Sequence, residues 1–370
     1  MMTARVIACT TVLCLFGCDD GGSASPPRDD AGALAVDAGT DAGPPPDPTL
    51  AHWESVPAPD VGPLAIWGFL TADLGDGRAI VFGGTNANAV SGSTLQATWL
   101  YDMRGSEVAV SEVVVDGTKP APRYCGCAAW DPERAKLVMS GGRDLDAPFS
   151  VPPETWELDL AAATWARVAV PETPQGVIGC SMAWSSARHA MYLFGGAGAR
   201  GASSKIFRYD AAVPEWVEVP AAGPVPRYDA VLLPRDGGAT LLMFAGSLSA
   251  TGAAFYSDVW LFDTASEAWS ELEVAGDAPP GRRGPWIAES LDHRGLYVAM
   301  GYDGAMLPIG DFWWLDLESA RWTRLELGAG GPEARGFSPS LPGGALGLGV
   351  MLGGFDATAP VRTLWRLVAP

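Results

Sequence analysis

The chain is poor in histidine, in cations and in long apolar runs, and each shortage removes a class of function. Its 370 residues hold three histidines, His52, His189 and His293. They stand apart in the chain, so no Ser-His-Asp relay and no histidine-rich metal centre can be assembled from them. Lysine and arginine total 24 against 43 aspartates and glutamates, a net charge of -19. Phosphate backbones need clustered cations, so nucleic acid is not an expected partner. The apolar run from Val6 to Phe16 is 11 residues long, too short for a bilayer core of about 30 Å. A glycine-rich phosphate loop and a zinc-type cysteine pair are both missing, and neither cofactor nor metal is expected.

What is present suits strands and turns. Glycine (46), proline (31) and tryptophan (15), with 48% hydrophobic and 18% charged residues, describe a chain with a large core built from many short strands.

The first segment reads as an address. Arg5 precedes the apolar run, which ends in Leu15-Phe16-Gly17-Cys18. This resembles a bacterial lipoprotein signal, with residues 1–17 removed and Cys18 lipidated, although Phe16 is bulkier than that pattern prefers. The resemblance implies a lipid anchor in a bacterial membrane of the cell envelope, periplasmic or surface-exposed. Residues 18–50 are rich in Asp, Ala, Gly and Pro, cannot repay the entropy of ordering, and are expected to form a disordered linker.

Residues 51–370 repeat. Taking the first glycine of a Gly-Gly pair as a ruler, equivalent positions fall at Gly83, Gly141, Gly195, Ala245, Gly301 and Gly353, spaced by 58, 54, 50, 56 and 52 residues. Six copies of about 50 residues predict a six-bladed, all-β propeller with four strands per blade. An aromatic followed three residues later by Asp marks the third strand: Trp99/Asp102, Trp156/Asp159, Phe207/Asp210, Trp260/Asp263 and Trp313/Asp316. A second tryptophan follows nine residues after the aromatic at Trp165, Trp216, Trp269 and Trp322, while Val108 takes that place in the first copy. Fixed spacing of this kind is expected of packing between blades, and the aspartates are expected to accept turn N–H groups. The sixth copy ends before its closing tryptophan, whereas His52-Trp53-Glu54-Ser55-Val56 reads as a fourth strand without a blade. Residues 51–56 are therefore predicted to close the ring.

Arginine stands 18 residues before the ruler in four copies, Arg123, Arg227, Arg283 and Arg335. Together the Pro-Arg lead-in, the Gly-Gly pair, the aromatic-x-x-Asp step and the closing Trp resemble the kelch repeat family, over nearly all of residues 51–370. The resemblance implies a propeller whose loop face, after each Gly-Gly, is a common partner-binding surface. The four arginines either serve that face or tie their blades together. Arg143, Asp144, Arg200, Tyr256, Tyr302 and Asp303 vary from blade to blade there and are the other candidate contacts. A monomeric module binding a protein or glycan is the expected function, with no catalytic residues assigned. The alternative is a carbohydrate-active enzyme resembling periplasmic kelch mutarotases.

Cysteines after the signal are Cys125, Cys127 and Cys180. Cys127 and Cys180 lie at nearly equal heights on the first strands of adjacent blades with opposite parity, so they are predicted to bridge in an oxidising compartment, with Cys125 the alternative partner.

Overall fold

The computed structural model describes residues 47–369 apart from 87–93, 146–153, 171–173, 175–177, 251 and 253. The signal segment, Cys18 and the linker up to residue 46 lie outside the described residues.

Six antiparallel four-stranded sheets are arranged as propeller blades. In each, strand a is innermost and strand d outermost. Strands a are Leu70–Asp73, Tyr124–Asp131, Ile178–Ser185, Val231–Arg235, Trp286–Glu289 and Ser340–Pro342 in blades one to six. Blade three adds a short fifth strand, Gly201–Ala202, paired with its strand b, Ala190–Gly198. The sixth blade takes strands a to c from the C-terminal segment and strand d, His52–Val56, from the start of the domain. The latter is in full register with Leu364–Val368, from His52 against Val368 to Val56 against Leu364. The ring is thus closed by pairing the two ends of the domain, which covers the edge of Leu364–Val368 within blade six.

Blades are held to each other by the repeated aromatics. The closing tryptophan of one blade meets the strand-b phenylalanine of the blade before it: Trp165 lies 5.2 Å from Phe82, Trp269 5.3 Å from Phe194 and Trp322 5.4 Å from Phe244. Trp53 of the closing strand meets blade five on its strands a and c instead, 4.7 Å from Trp286 and 5.7 Å from Phe312. Where the indole N–H is buried it can be satisfied across the gap, as in Trp216 to Thr155 Oγ1 at 2.8 Å. Each such ring contributes roughly 5 kcal/mol by buried area, an upper figure. The aspartates accept turn N–H groups, for example from Ala162 to Asp159 and from Ser319 to Asp316.

The ruler positions dock one blade on the next. Their φ values are +66°, +69°, +69°, +68°, +64° and +61° at Gly83, Gly141, Gly195, Ala245, Met300 and Gly353. A Cβ on Gly83 or Gly353 would overlap the carbonyl of Arg123 or Ile66 in the following blade. Glycine is needed there for close approach as much as for its backbone freedom. The fifth ruler is Met300 and not Gly301, a one-residue correction to the repeat. Gly301 is the second member of the pair, and its N–H reaches Arg335 O, as Gly84 reaches Arg123 O, Gly246 reaches Arg282 O and Gly354 reaches Ile66 O.

Candidate functional site at the channel mouth

The register shift reassigns the arginines. The four that repeat are Arg123, Arg227, Arg282 and Arg335, each at most 1% exposed. Each donates to the carbonyl at the ruler of its own blade: Gly141 at 2.9 Å, Ala245 at 3.1 Å, Met300 at 2.8 Å and Gly353 at 3.1 Å. Each also meets a polar group two residues before the strand-c tryptophan. Arg227 forks onto Asp258 at 2.5 and 2.8 Å, Arg282 onto Asp311 at 2.6 and 2.7 Å, Arg123 reaches Glu154 at 3.4 Å, and Arg335 reaches Thr363 at 2.9 Å. The same four groups accept the indole N–H of Trp260, Trp313, Trp156 and Trp365. Burial pushes the Arg123 and Arg335 guanidiniums down, while Glu154 and Glu333 hold them charged. Arg123, Arg227 and Arg335 therefore sit inside the blades as ties and away from the exposed loop surface. The carboxylates at positions 154, 258 and 311 escaped the sequence reading, although an acid two residues before each tryptophan was there to be seen.

Two positions further on, six residues form a belt at the loop-face end of the channel: Gly68, Cys125, Gly179, Asp229, Gly284 and Phe337. All have positive φ, between +54° and +66°. Backbone bonds link the blades through this belt, from Cys125 N to Gly68 O at 2.6 Å, Asp229 N to Gly179 O at 2.7 Å, Gly284 N to Asp229 O at 3.0 Å, Phe337 N to Gly284 O at 3.0 Å and Gly68 N to Phe337 O at 3.1 Å. Glycines and side-chain residues alternate for a steric reason. A Cβ on Gly68 would stand 2.9 Å from Cys125 Sγ, one on Gly284 2.7 Å from Phe337 Cδ1, and one on Gly179 would overlap Asp229 Oδ1. The belt has room for only three side chains, and a thiol, a carboxylate and a phenyl ring occupy it. Non-glycine residues held in this conformation cost about 1 kcal/mol each, and such strain gathers at functional sites.

Above the belt stands an aromatic collar. Trp67 lies 5.3 Å from Tyr124, 5.8 Å from Phe337 and 5.4 Å from Phe355, and Tyr302 stacks on Phe337 at 5.3 Å. Trp67, Tyr228, Phe337 and Phe355 are half-buried. Arg283 takes a different place from the repeated arginines: it is buried in the collar, donates to Tyr228 Oη at 2.9 Å and lies 3.5 Å from Asp229. Arg143 is half-buried and donates to Tyr124 Oη at 2.6 Å. Burial pushes the Tyr124 hydroxyl up to about 12.

The other candidates divide. Asp144 is half-buried beside Arg143, and Tyr256 is half-buried with the Arg227 guanidinium 4.2 Å from its ring centre. Arg200 is exposed at the turn between the paired ends of strand b and Gly201–Ala202 in blade three. Tyr302 is 1% exposed and donates to Phe355 O at 2.8 Å. The Asp303 carboxylate accepts from Ala305 N and Leu307 N, each at 2.9 Å, and so shapes its own loop. The mouth brings together Arg143, Arg283, Asp229 and the aromatics; Tyr228 repeats Tyr124 in a Pro-Arg-Tyr lead-in, whereas Trp67, Asp229 and Phe337 had no repeated signature to reveal them. Cys127 and Cys180 are joined below the belt with Cα atoms 5.5 Å apart, and Cys125 is free. Among the described residues no cluster of three His, Cys, Asp or Glu side chains could hold a metal.

A family model for the KLHDC2/KLHL20/DRC7 Kelch-repeats domain matches residues 154–341, half of the chain. The chain belongs to the kelch-repeat family. Among curated proteins this kelch chain is 30% identical over 154 residues to Adagio-like protein 3 of Oryza sativa subsp. japonica, covering 40% of the chain and 24% of that protein. It is 29% identical over 262 residues to Adagio-like protein 1 of the same plant, covering 64% and 40%. Adagio protein 3 of Arabidopsis thaliana is 28% identical over 211 residues, covering 52% and 32%. The kelch chain thus matches less than half the length of each of these relatives.

Asp229 gives the mouth a pH signature. Its side chain is 8% exposed, and burial pushes its carboxyl up to about 6, against the pull of Arg283 and Arg143. A raised carboxyl pKa means that folding is favoured while the group is protonated. The benefit is full below the unfolded value near 3.8 and is lost as pH rises through about 6. Asp229→Asn keeps the shape and tolerates positive φ. It is expected to raise stability at pH 7.5 by about 3 kcal/mol, a gain that vanishes at pH 3.5. Thermal melts of both proteins at the two pH values check this.

Proposed function

We propose that the chain is a kelch propeller tethered to a bacterial cell envelope through lipidated Cys18, binding a protein partner on its Gly-Gly loop face. The observation that carries the reading is the collar. The repeated arginines are consumed by the scaffold, whereas half-buried Trp67, Tyr228, Phe337, Phe355 and Arg143 stand at the mouth without serving the repeat. Aromatic residues and arginine dominate the energetics of protein interfaces. Strand d of blade six starts on the rim of the a–b and c–d turns, so the chain before His52 joins the propeller opposite the loop face.

The test compares affinity capture by the wild type, by Trp67→Ala/Arg143→Ala, and by a control on the opposite rim, Val213→Ser, at an exposed residue of blade three. Partners held by the wild type and the control are expected to fall at least tenfold with the double variant. Equal recovery by all three would remove the loop face from consideration. Cys18→Ser is expected to move the protein from the membrane to the soluble exported fraction. Unchanged fractionation would contradict the anchor.

A further inference from the structure

Below the belt the channel is a cavity of about 330 Å³ bounded by strands a of all six blades. Its blind end is the belt itself. Cys125, Asp229 and Phe337 reach this end, and the bonded backbones of six blades surround them. Its far rim carries Trp130 and Trp184, half-buried on adjacent blades, and exposed Asp73. Between the ends the walls include Gly126, Ala128, Val231 and Leu233, small or apolar residues that leave the space open. Two wall hydroxyls are already engaged between blades: Ser181 accepts from Leu232 N at 2.8 Å, and Ser340 accepts from Ile287 N at 3.0 Å.

Two wall groups are not satisfied in this way, the Thr71 hydroxyl and the Asp229 carboxylate, and only the second is charged. The Asp229 side chain is more than nine-tenths buried, lines the cavity, and makes no hydrogen bond among the described residues; its nearest cation is Arg283 at 3.5 Å, with Arg143 also acting on it. A buried carboxylate without a donor is costly, and donors delivered from the cavity side would remove that cost.

We infer that the channel below the belt is a second binding site, meeting the loop-face mouth at Asp229 and Phe337, for a small neutral ring compound bearing hydroxyl donors. The hydroxyls meet Asp229 at the blind end, and the ring face packs on apolar wall and tryptophan. Neutrality follows from the charges at the blind end. An ammonium would face Arg283 behind Asp229, and a carboxylate would face Asp229 itself. The volume lies at the small end of ligand pockets, which span roughly 300 to 1,000 Å³, so one or two rings fit. A monosaccharide and a phenol share this chemistry, and separate arms of the experiment distinguish them.

The experiment titrates the folded protein with glucose, galactose and resorcinol, following tryptophan emission and the heat of binding. Glucosamine and glucuronate serve as charged counterparts. At least one neutral probe is expected to bind saturably and to perturb the emission of Trp130 and Trp184. Asp229→Asn is expected to weaken that binding at least tenfold by replacing the acceptor while keeping shape. Ala128→Leu is expected to abolish it by filling the wall, with the melting temperature of each variant showing that it is folded. Should Ala128→Leu fail to fold, Asp229→Asn alone decides. Absence of saturable binding by every neutral probe would overturn the proposal, as would equal binding in Asp229→Asn or a charged counterpart binding more tightly than its neutral parent. Loop-face capture is read independently, so failure of one site does not mimic failure of the other.

Discussion

Deleting residues 47–56 is expected to abolish cooperative unfolding of the propeller. The deletion removes strand d of blade six with its full ladder to Leu364–Val368, and with it the Arg366 to Glu54 pair at 2.6 Å. It also removes Trp53 from between Trp286 and Phe312, a loss of roughly 5 kcal/mol from one ring by buried area. Domains of this kind hold about 5 to 15 kcal/mol in total, so one strand carries a large share. The exposed edge of Leu364–Val368 would in addition invite pairing between molecules. Circular dichroism melts and light scattering check this. A truncated protein with an unchanged, cooperative transition would show that the ring does not depend on its velcro strand.

The second large effect concerns the bridge. Cys127 and Cys180 join strands a of blades two and three across a sequence separation of 53 residues. In the chain-entropy account, closing a loop of that length stabilises by about 4 kcal/mol. Replacing both cysteines by serine is expected to lower the melting temperature of the oxidised protein by about 8 °C. Reductant is expected to lower the wild type similarly and to leave the variant unmoved. Non-reducing peptide mapping is expected to yield one linked peptide, with Cys125 alone alkylated after unfolding. Three alkylated thiols would contradict the bridge.

These two predictions rest on features legible in the sequence for a common reason. Blade number, strand order and closure follow from the spacing of ruler, aromatic and closing tryptophan, because five of the six blades fill the same gap with the same ring, Val108 taking its place in the first. The half-pair His52 to Val56 was readable because it repeats Glu215 to Val219. The fifth blade misled the ruler because Met300 adopts the positive φ that glycine holds in four of the others, leaving Gly301-Tyr302 to imitate a Gly-Gly pair. That slip put Arg283 among the repeated arginines, when the tie belongs to Arg282 and Arg283 belongs to the collar.

The mouth was far less legible. Its belt reads Gly, Cys, Gly, Asp, Gly, Phe, and no single blade shows the alternation. The rule is steric and acts between blades: each side chain occupies the space that its neighbour's Cβ would need. Tyr302 and Asp303 looked like contacts because they vary between blades, yet one is buried and the other caps its own loop. Variation marks where a scaffold is free to change. Whether the change serves a ligand or the loop itself depends on exposure, which spacing does not encode.

On the function proposed above, the propeller engages a protein partner over the collar at the channel mouth. Hydrogen exchange of the captured complex tests this most directly, comparing amide protection with and without the partner. Added protection is expected to be confined to the loop-face segments around Trp67, Arg143, Tyr228, Arg283 and Phe355, with the turns at residues 131–135, 186–189 and 290–294 unchanged. Protection on those opposite turns, with the collar exchanging as in the free protein, would contradict it.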